Sequence, residues 1–289
     1  MSEASSGPSV RQRWLGERLM EMRLAAGHSS LSSAAKVLRR SAPSISRLEN
    51  GQVVLPVRDF PPILDAYGVT DTQTRERILA VASEIQQERR GWWVEYADRL
   101  APSYIDLVRL EASARRANSW EMQYVPGLLQ TREYAVDLGR ALKQHHTEEE
   151  LEQFVEARMN RQSVLERQNG PLHLHAVLYE AILTQPVGTP ATFARQLQHL
   201  LVKSQMPNVT LQVLRQPSRP HASMTGSYTL LELPSLTVVQ VELMTSTVYV
   251  EDESDVARYE RAWNDLVDQA LDVTESRRLI EQTIDHLEA

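Results

Sequence analysis

Apolar positions along the first third of the chain recur at helical spacing, in short runs separated by breakers. Trp14, Leu15, Leu19, Met22 and Ala26 predict a helix over 14–26, and Gly27 stops it. A compact second helix is expected over 31–38, capped by Ser30, with small Ala34 and Ala35 where a close helix crossing needs them. Arg39-Arg40 is the turn that follows. In the stretch 41–51, Ser41 is a good N-cap and Pro43 suits a first helical turn. Ile45 and Leu48 give that third helix one apolar stripe, and Asn50-Gly51 tolerates a positive φ after its end. A fourth helix is expected over 57–67, bent or delayed by Pro61-Pro62 and ended by Gly68. A fifth is expected over 72–88, capped by Thr70-Asp71, with Ile78, Leu79, Ala82 and Ile85 inward.

Past Gly91 the pattern changes. Trp92, Trp93, Tyr96 and Leu100 form a dense aromatic stripe, read as packing between domains or in a dimer interface. Helices are expected over 104–114, 132–142, 147–168, 192–205, 252–271 and 276–287. The acidic run Glu148, Glu149, Glu150 suits a solvated helix start. Alternating runs over 118–124, 172–178, 209–214, 227–233, 237–243 and 247–250 predict strands, with Pro234-Ser235 turning a hairpin. The fold class expected is mainly α with an α+β second domain. It comprises a five-helix N-terminal domain and then helices backing a small antiparallel sheet. The Ser-rich segment 1–10 is read as a disordered tail. The polar stretch 86–90 is read as the boundary between an 11–90 domain and a 91–289 domain.

Charge sharpens this division. The chain carries a net charge of −7, yet residues 1–90 carry +3 and the remaining 199 carry −10. Between Arg11 and Arg47 there are eight basic residues (Arg11, Arg13, Arg18, Arg23, Lys36, Arg39, Arg40, Arg47) against Glu17 and Glu21. A positive field confined to one motif is what phosphate neutralisation requires. With no cysteine there is neither a disulfide framework nor a thiolate metal site. No signal peptide and no apolar run of membrane-spanning length is visible, so the expected location is cytoplasmic, on the nucleoid when DNA-bound.

The two short helices and their turn make a helix-turn-helix, whose second helix reads bases with its N-terminal residues. Ala42, Pro43, Ser46 and Arg47 lie off the apolar stripe and are the candidate base contacts. Arg39, Arg40, Ser41, Ser44 and Lys36 are the candidate phosphate contacts. The run Ile45-Ser46-Arg47-Leu48-Glu49-Asn50-Gly51 resembles the phage-repressor-like (Cro/C1, or XRE) class of helix-turn-helix regulators. That resemblance implies that Arg23 pairs with Glu49, tying the first helix to the reader. The sequence departs from the class at Arg39, where the turn usually carries Gly, and in a longer loop at His28-Ser29-Ser30. Arg39 would have to accept a left-handed conformation at a cost of order 1 kcal/mol, or the turn would be reshaped.

The second half offers no enzymatic constellation: no phosphate loop, no G-x-S-x-G elbow, no H-E-x-x-H. The chain is read as a non-enzyme with no cofactor and no metal. His173 and His175 share a strand face but read as solvated or cross-strand histidines, and His145-His146 as a polar loop pair. Glu180 could bind a ligand or cap a helix. The segment 124–135 (Y-V-P-G-L-L-Q-T-R-E-Y-A), with Arg158–Gln162, Glu180–Leu183, Gln196–Leu200 and Val209–Leu214, resembles a large actinobacterial regulator family. In that family the C-terminal domain is of unknown function, and its members include the Scr1-type, antitoxin-like regulators. Resemblance implies a dimeric regulator of an inverted-repeat operator in double-stranded DNA. It also implies a small partner protein encoded nearby. A one-component sensor with a small-molecule ligand in its second domain is the alternative.

Overall fold

The computed structural model describes residues 7–88, 91–142 and 147–288. The chain divides into two compact units, one ending at Asp98 with Tyr104–Asp106 added, the other taking Arg99–Ser103 and Leu107 onward. The aromatic residues after Gly91 therefore belong to the first unit, beyond the boundary expected at residue 90, whose last two residues lie outside the described ones. Trp92–Tyr96 is a 3-10 turn in which Trp92 meets Trp93 and Tyr96 edge-on, at 6.2 and 5.6 Å between ring centroids.

Among the described residues the first unit contains five whole α-helices, α1 Val10–Ala25, α2 Leu31–Leu38, α3 Ala42–Glu49, α4 Phe60–Ala66 and α5 Thr72–Gln87, and the residues of α6 (Pro102–Ser113) are divided between the units. Their core is Val10, Trp14, Leu15, Leu19, Ala34, Ile45, Leu48, Phe60, Ile63, Leu64, Ile78, Val81 and Ile85. Helix α1 starts four residues earlier than the apolar spacing indicates. Of the expected 1–10 tail, residues 1–6 lie outside the described residues, whereas Ser9 and Val10 are buried. The cause is polar. The Ser9 N–H donates to Gln12 Oε1 at 2.7 Å, and Ser9 Oγ donates to Glu88 at 3.1 Å. Arg11, fully buried, pairs with Glu84 at 2.9 Å and with Glu88. Pro61 and Pro62 fall in the first turn of α4, where missing N–H groups cost nothing, so they start that helix instead of bending it.

Among the described residues the second unit holds a six-stranded sheet: β1 Arg116–Glu121, β2 His173–Tyr179, β3 Val209–Leu214, β4 Tyr228–Glu232, β5 Thr237–Glu242 and β6 Thr247–Val250, in the order β3-β2-β1-β4-β5-β6. The fold class is the expected one, but the sheet is mixed where a small antiparallel one was expected. Strands β1, β2 and β3 run parallel, and β1, β4, β5 and β6 antiparallel. The connections explain this. Between β1 and β2 lie α7 (Arg132–Leu142) and α8 (Glu148–Arg161), and between β2 and β3 lie α9 (Ala181–Thr184) and α10 (Pro190–Lys203). Helical crossovers of that length return the chain to the same end of the sheet, whereas β4–β5–β6 are joined by tight turns. One sheet face packs Trp120, Val177, Leu214, Tyr228, Leu230 and Val239 on Val256, Trp263 and Leu266 of α11 (Glu253–Gln269). The β3 edge is closed by the entry to α12 (Val273–Glu288): Leu271 N–H donates to the Val213 carbonyl and Val213 N–H to Ser276 Oγ.

Candidate nucleic-acid interface

The interface is built on α2, its turn and α3. Ser30 Oγ accepts the Ser33 N–H at 3.1 Å, and Ser41 Oγ accepts the Ser44 N–H at 3.3 Å, so both helices start on side-chain caps. Arg39 takes φ 51° and ψ 40°, and it is the one non-glycine residue with positive φ among those described. The turn keeps the shape that Gly usually supplies. The Arg39 and Arg40 N–H groups both reach the Ala35 carbonyl, satisfying the end of α2. Gly51, at φ 68°, takes the left-handed position after α3, and a Cβ there would stand 2.8 Å from the Gln12 carbonyl oxygen.

The inner side of α3 is locked. Ile45 and Leu48 are buried, as the stripe predicts. Arg23 donates from Nε to Glu49 Oε1 at 2.7 Å and from Nη2 to Oε2 at 3.0 Å, and its Nη1 reaches the His28 carbonyl at 2.6 Å. Both side chains are buried, and the hydrogen bonds to Glu49 raise the Arg23 guanidinium above its ordinary value. The pairing implied by resemblance is thus present as a two-pronged buried bridge. Gly16 completes the lock: a Cβ there would lie 2.3 Å from the Glu49 carbonyl oxygen, so α1 reaches α3 only because residue 16 has no side chain. Sequence reasoning passed over Gly16, although a glycine inside a helical pattern is the signal of such an approach.

The outer side of α3 is open. Pro43 and Arg47 are exposed, while Ala42, Ser44 and Ser46 are half-buried. The Asn50 side-chain amide donates to the Ser46 carbonyl at 2.7 Å and to Ser46 Oγ at 3.3 Å, holding that hydroxyl in place. Asn50 is a contributor that the motif reading used only as a helix terminator. Lys36, Arg39 and Ser41 are exposed. The basic field is smaller than a count along the chain suggests. Arg11 and Arg23 are spent in buried pairs, and Arg18 meets Glu21 at 2.7 Å. Arg40 Nη2 lies 3.3 Å from Asp59 Oδ2. Lys36, Arg39 and Arg47 carry exposed charge on the turn and reader, with no ion pair among the described residues.

A model described as "Domain of unknown function (DUF5753)" matches residues 104–282, and one described as "Helix-turn-helix domain" matches residues 14–77. The first covers well over half of the chain. The chain belongs to the DUF5753 family. Its first unit is a helix-turn-helix domain, the DNA-binding part of a transcription regulator. No curated protein and no solved structure matches the chain. Among the described residues, no helix is long and apolar enough to cross a membrane.

Within the DUF5753 unit, the P-G-L-L-Q-T segment is an architectural lock. Gln130 Nε2 donates to the Val125 carbonyl, Gln162 Nε2 to the Gly127 and Gln130 carbonyls, and Gln196 Nε2 to the Leu129 carbonyl, all within 2.9 Å. Gly127 gives room for Arg161, whose guanidinium would stand 2.6 Å from a Cβ there and pairs with buried Glu111 at 2.8 Å. His175 Nε2 bonds Gln212 Oε1 at 2.6 Å across the strands, and burial lowers its pKa, whereas His173 is exposed. Among the described residues no cluster could hold a metal ion, and His145-His146 lie outside them. Glu180 makes no side-chain cap. It accepts the Gln216 N–H at 2.7 Å and meets Arg215 at 3.4 Å, steadying the exit from β3.

The sheet face opposite α11 is polar at one end. Thr229 Oγ1 donates to Ser119 Oγ at 3.4 Å, and Ser119 Oγ donates to Glu121 Oε1 at 2.9 Å. Gln240 lies opposite Thr229 in register, is buried, and makes no side-chain hydrogen bond among the described residues. Burial pushes the Glu121 carboxyl up to about 8, with neighbouring Glu242 adding to the shift.

Proposed function

We propose that this chain is a sequence-specific, dimeric transcription regulator. In this reading α3 enters the major groove, with Ala42, Pro43, Ser46 and Arg47 toward base edges. Lys36, Arg39, Arg40, Ser41 and Ser44 grip the flanking phosphates. The observation that carries it is the two-sidedness of α3: its inner side is locked by Arg23, Glu49 and Gly16, while Arg47 projects unpaired from the outer side. Two copies would read an inverted repeat with half-sites about one helical turn apart. The DUF5753 unit would supply the dimer contact and receive a small partner protein encoded nearby, as in the Scr1-type, antitoxin-like regulators of actinobacteria. The protein would act in the cytoplasm, without catalytic turnover.

Substituting Arg47→Ala tests this. Loss of operator discrimination by about 1–3 kcal/mol, measured by competition against random duplex, is the expected result. An operator affinity equal to the parent's would remove α3 from the groove. Loss of Lys36, by contrast, weakens all sequences alike. The polar end of the sheet face opposite α11, where Ser119, Glu121, Thr229 and Gln240 share one face, favours a second reading, in which the second unit senses a small polar molecule. Thermal shift and calorimetry on a metabolite panel separate it from the partner-protein reading.

A further inference from the structure

Asp59 was no part of the motif, yet it is the carboxylate that meets the turn. It is the last residue of the 3-10 turn Val57–Asp59 that leads into α4. Its Oδ2 lies 3.3 Å from Arg40 Nη2, and its Oδ1 lies 3.9 Å from Arg58 Nε. The pair is half-buried and reached by solvent: the Arg40 and Asp59 side chains are 30% and 33% exposed, in contrast to the buried Arg23–Glu49 bridge. Asp59 has no competing task at the start of α4, because its side chain makes no cap hydrogen bond there.

A solvent-reached pair of this kind is weak and exchangeable. A guanidinium binds a carboxylate and a phosphate through the same fork of donors, so one oxyanion can replace the other. We propose that Asp59 is a placeholder for a DNA phosphate: it holds the Arg40 guanidinium in the free protein and lowers the grip of the turn on any duplex. The inference rests on the DNA-binding reading above and adds a residue that sets the balance between specific and non-specific binding. Phosphate contacts carry no sequence information, so a carboxylate that discounts one of them weakens non-specific binding while leaving base readout by α3 untouched.

The test uses the full chain and a random-sequence duplex, with affinity followed by fluorescence anisotropy across a salt series. Four proteins are compared: the parent, Asp59→Asn, Arg40→Gln and the double variant. Asp59→Asn is expected to bind about two- to fivefold tighter, the range an exposed ion pair spans. Its log–log salt slope is expected to match the parent's, because Arg40 neutralises one phosphate in both complexes. The gain vanishes when Arg40→Gln is combined with it. Asp59→Ser, which cannot place an amide against Arg40, changes affinity in the same direction, and circular dichroism melting verifies that each variant is folded. Equal affinity for parent and Asp59→Asn overturns the inference, as does a gain that survives in the Arg40→Gln background. If no protein of the set binds any duplex, the DNA-binding reading falls, and this inference falls with it.

Discussion

The two units use buried charge in opposite ways. In the first, the buried ions are matched: Arg23 is held by Glu49, and Arg11 by Glu84 and Glu88. Matching fixes the pose of α3 from behind and leaves its outer side free. In the second unit Glu111 and Arg161 are similarly matched, but at the polar end of the sheet face the Glu121 side chain accepts a hydrogen bond from the Ser119 hydroxyl alone among the described residues; Asn118 Oδ1 is buried with no partner among them. A buried polar group without a full set of partners costs stability, and natural proteins retain such groups where another role requires them. Among the described residues the first unit thus pairs its buried ions and leaves the Trp14 indole N–H without a hydrogen-bond partner, whereas in the DUF5753 unit Asn118 Oδ1 and His199 Nε2 are buried without one.

The largest effect that could break this contrast lies in the Arg23–Glu49 bridge. Arg23→Met leaves Glu49 buried without a counter-charge, and the expected loss is about 3–5 kcal/mol of stability, read from the urea midpoint. Arg23→Met combined with Glu49→Leu is expected to recover most of it, because an apolar pair no longer strands a charge. A loss below about 1 kcal/mol for Arg23→Met, the worth of an exposed pair, would mean that the bridge does not lock α3.

Glu121 sharpens the other side. Its carboxyl is raised to about 8 in the folded unit, from the ordinary 4.5. Between those values the folded state holds the proton and the unfolded state has released it. Stability of the second unit is therefore full below about 4.5 and falls as pH rises toward 8, by at most about 1.4 kcal/mol per pH unit for one proton. Glu121→Gln should flatten that slope in thermal melts. A parent profile already flat over this interval would show that Glu121 ionises freely. The smallest effect belongs to Arg39, whose left-handed backbone favours glycine. Arg39→Gly should gain up to about 1 kcal/mol of stability while weakening binding to all duplexes alike. Unchanged stability would mean the turn is unstrained.

The units also differ in how much of them the chain declares. In the first, the contacts that set α2, the turn and α3 are a few residues apart. Ser30, Ser41, Gly51 and the prolines of α4 speak directly to caps and termini. What escaped there was either a single-residue approach, as at Gly16, or a long-range pair, as between Arg40 and Asp59 or Ser9 and Glu88. In the second unit, alternation located most strands of the sheet, but a period of two says nothing about which strands become neighbours. The parallel pairing of β1 with β2 depends on the helical crossover between them, and β1, expected over 118–124, starts two residues and ends three residues earlier. The expected helix 147–168 ends at Arg161, where the chain tightens into the 3-10 turn Gln162–Leu165 that lets Gln162 reach the Gly127 carbonyl. No local pattern announces that bond.

Base reading by α3 is what would make this chain a sequence-specific regulator. The direct measurement is selection of bound sequences from random duplex DNA, run in parallel with the full-length parent and with Arg47→Ala at one salt concentration. The parent is expected to enrich an inverted repeat with half-sites about one helical turn apart. Arg47→Ala is expected to lose discrimination at one position in each half-site while the rest of the repeat persists. Identical enrichment by the two proteins, or none by either, would contradict base reading by α3.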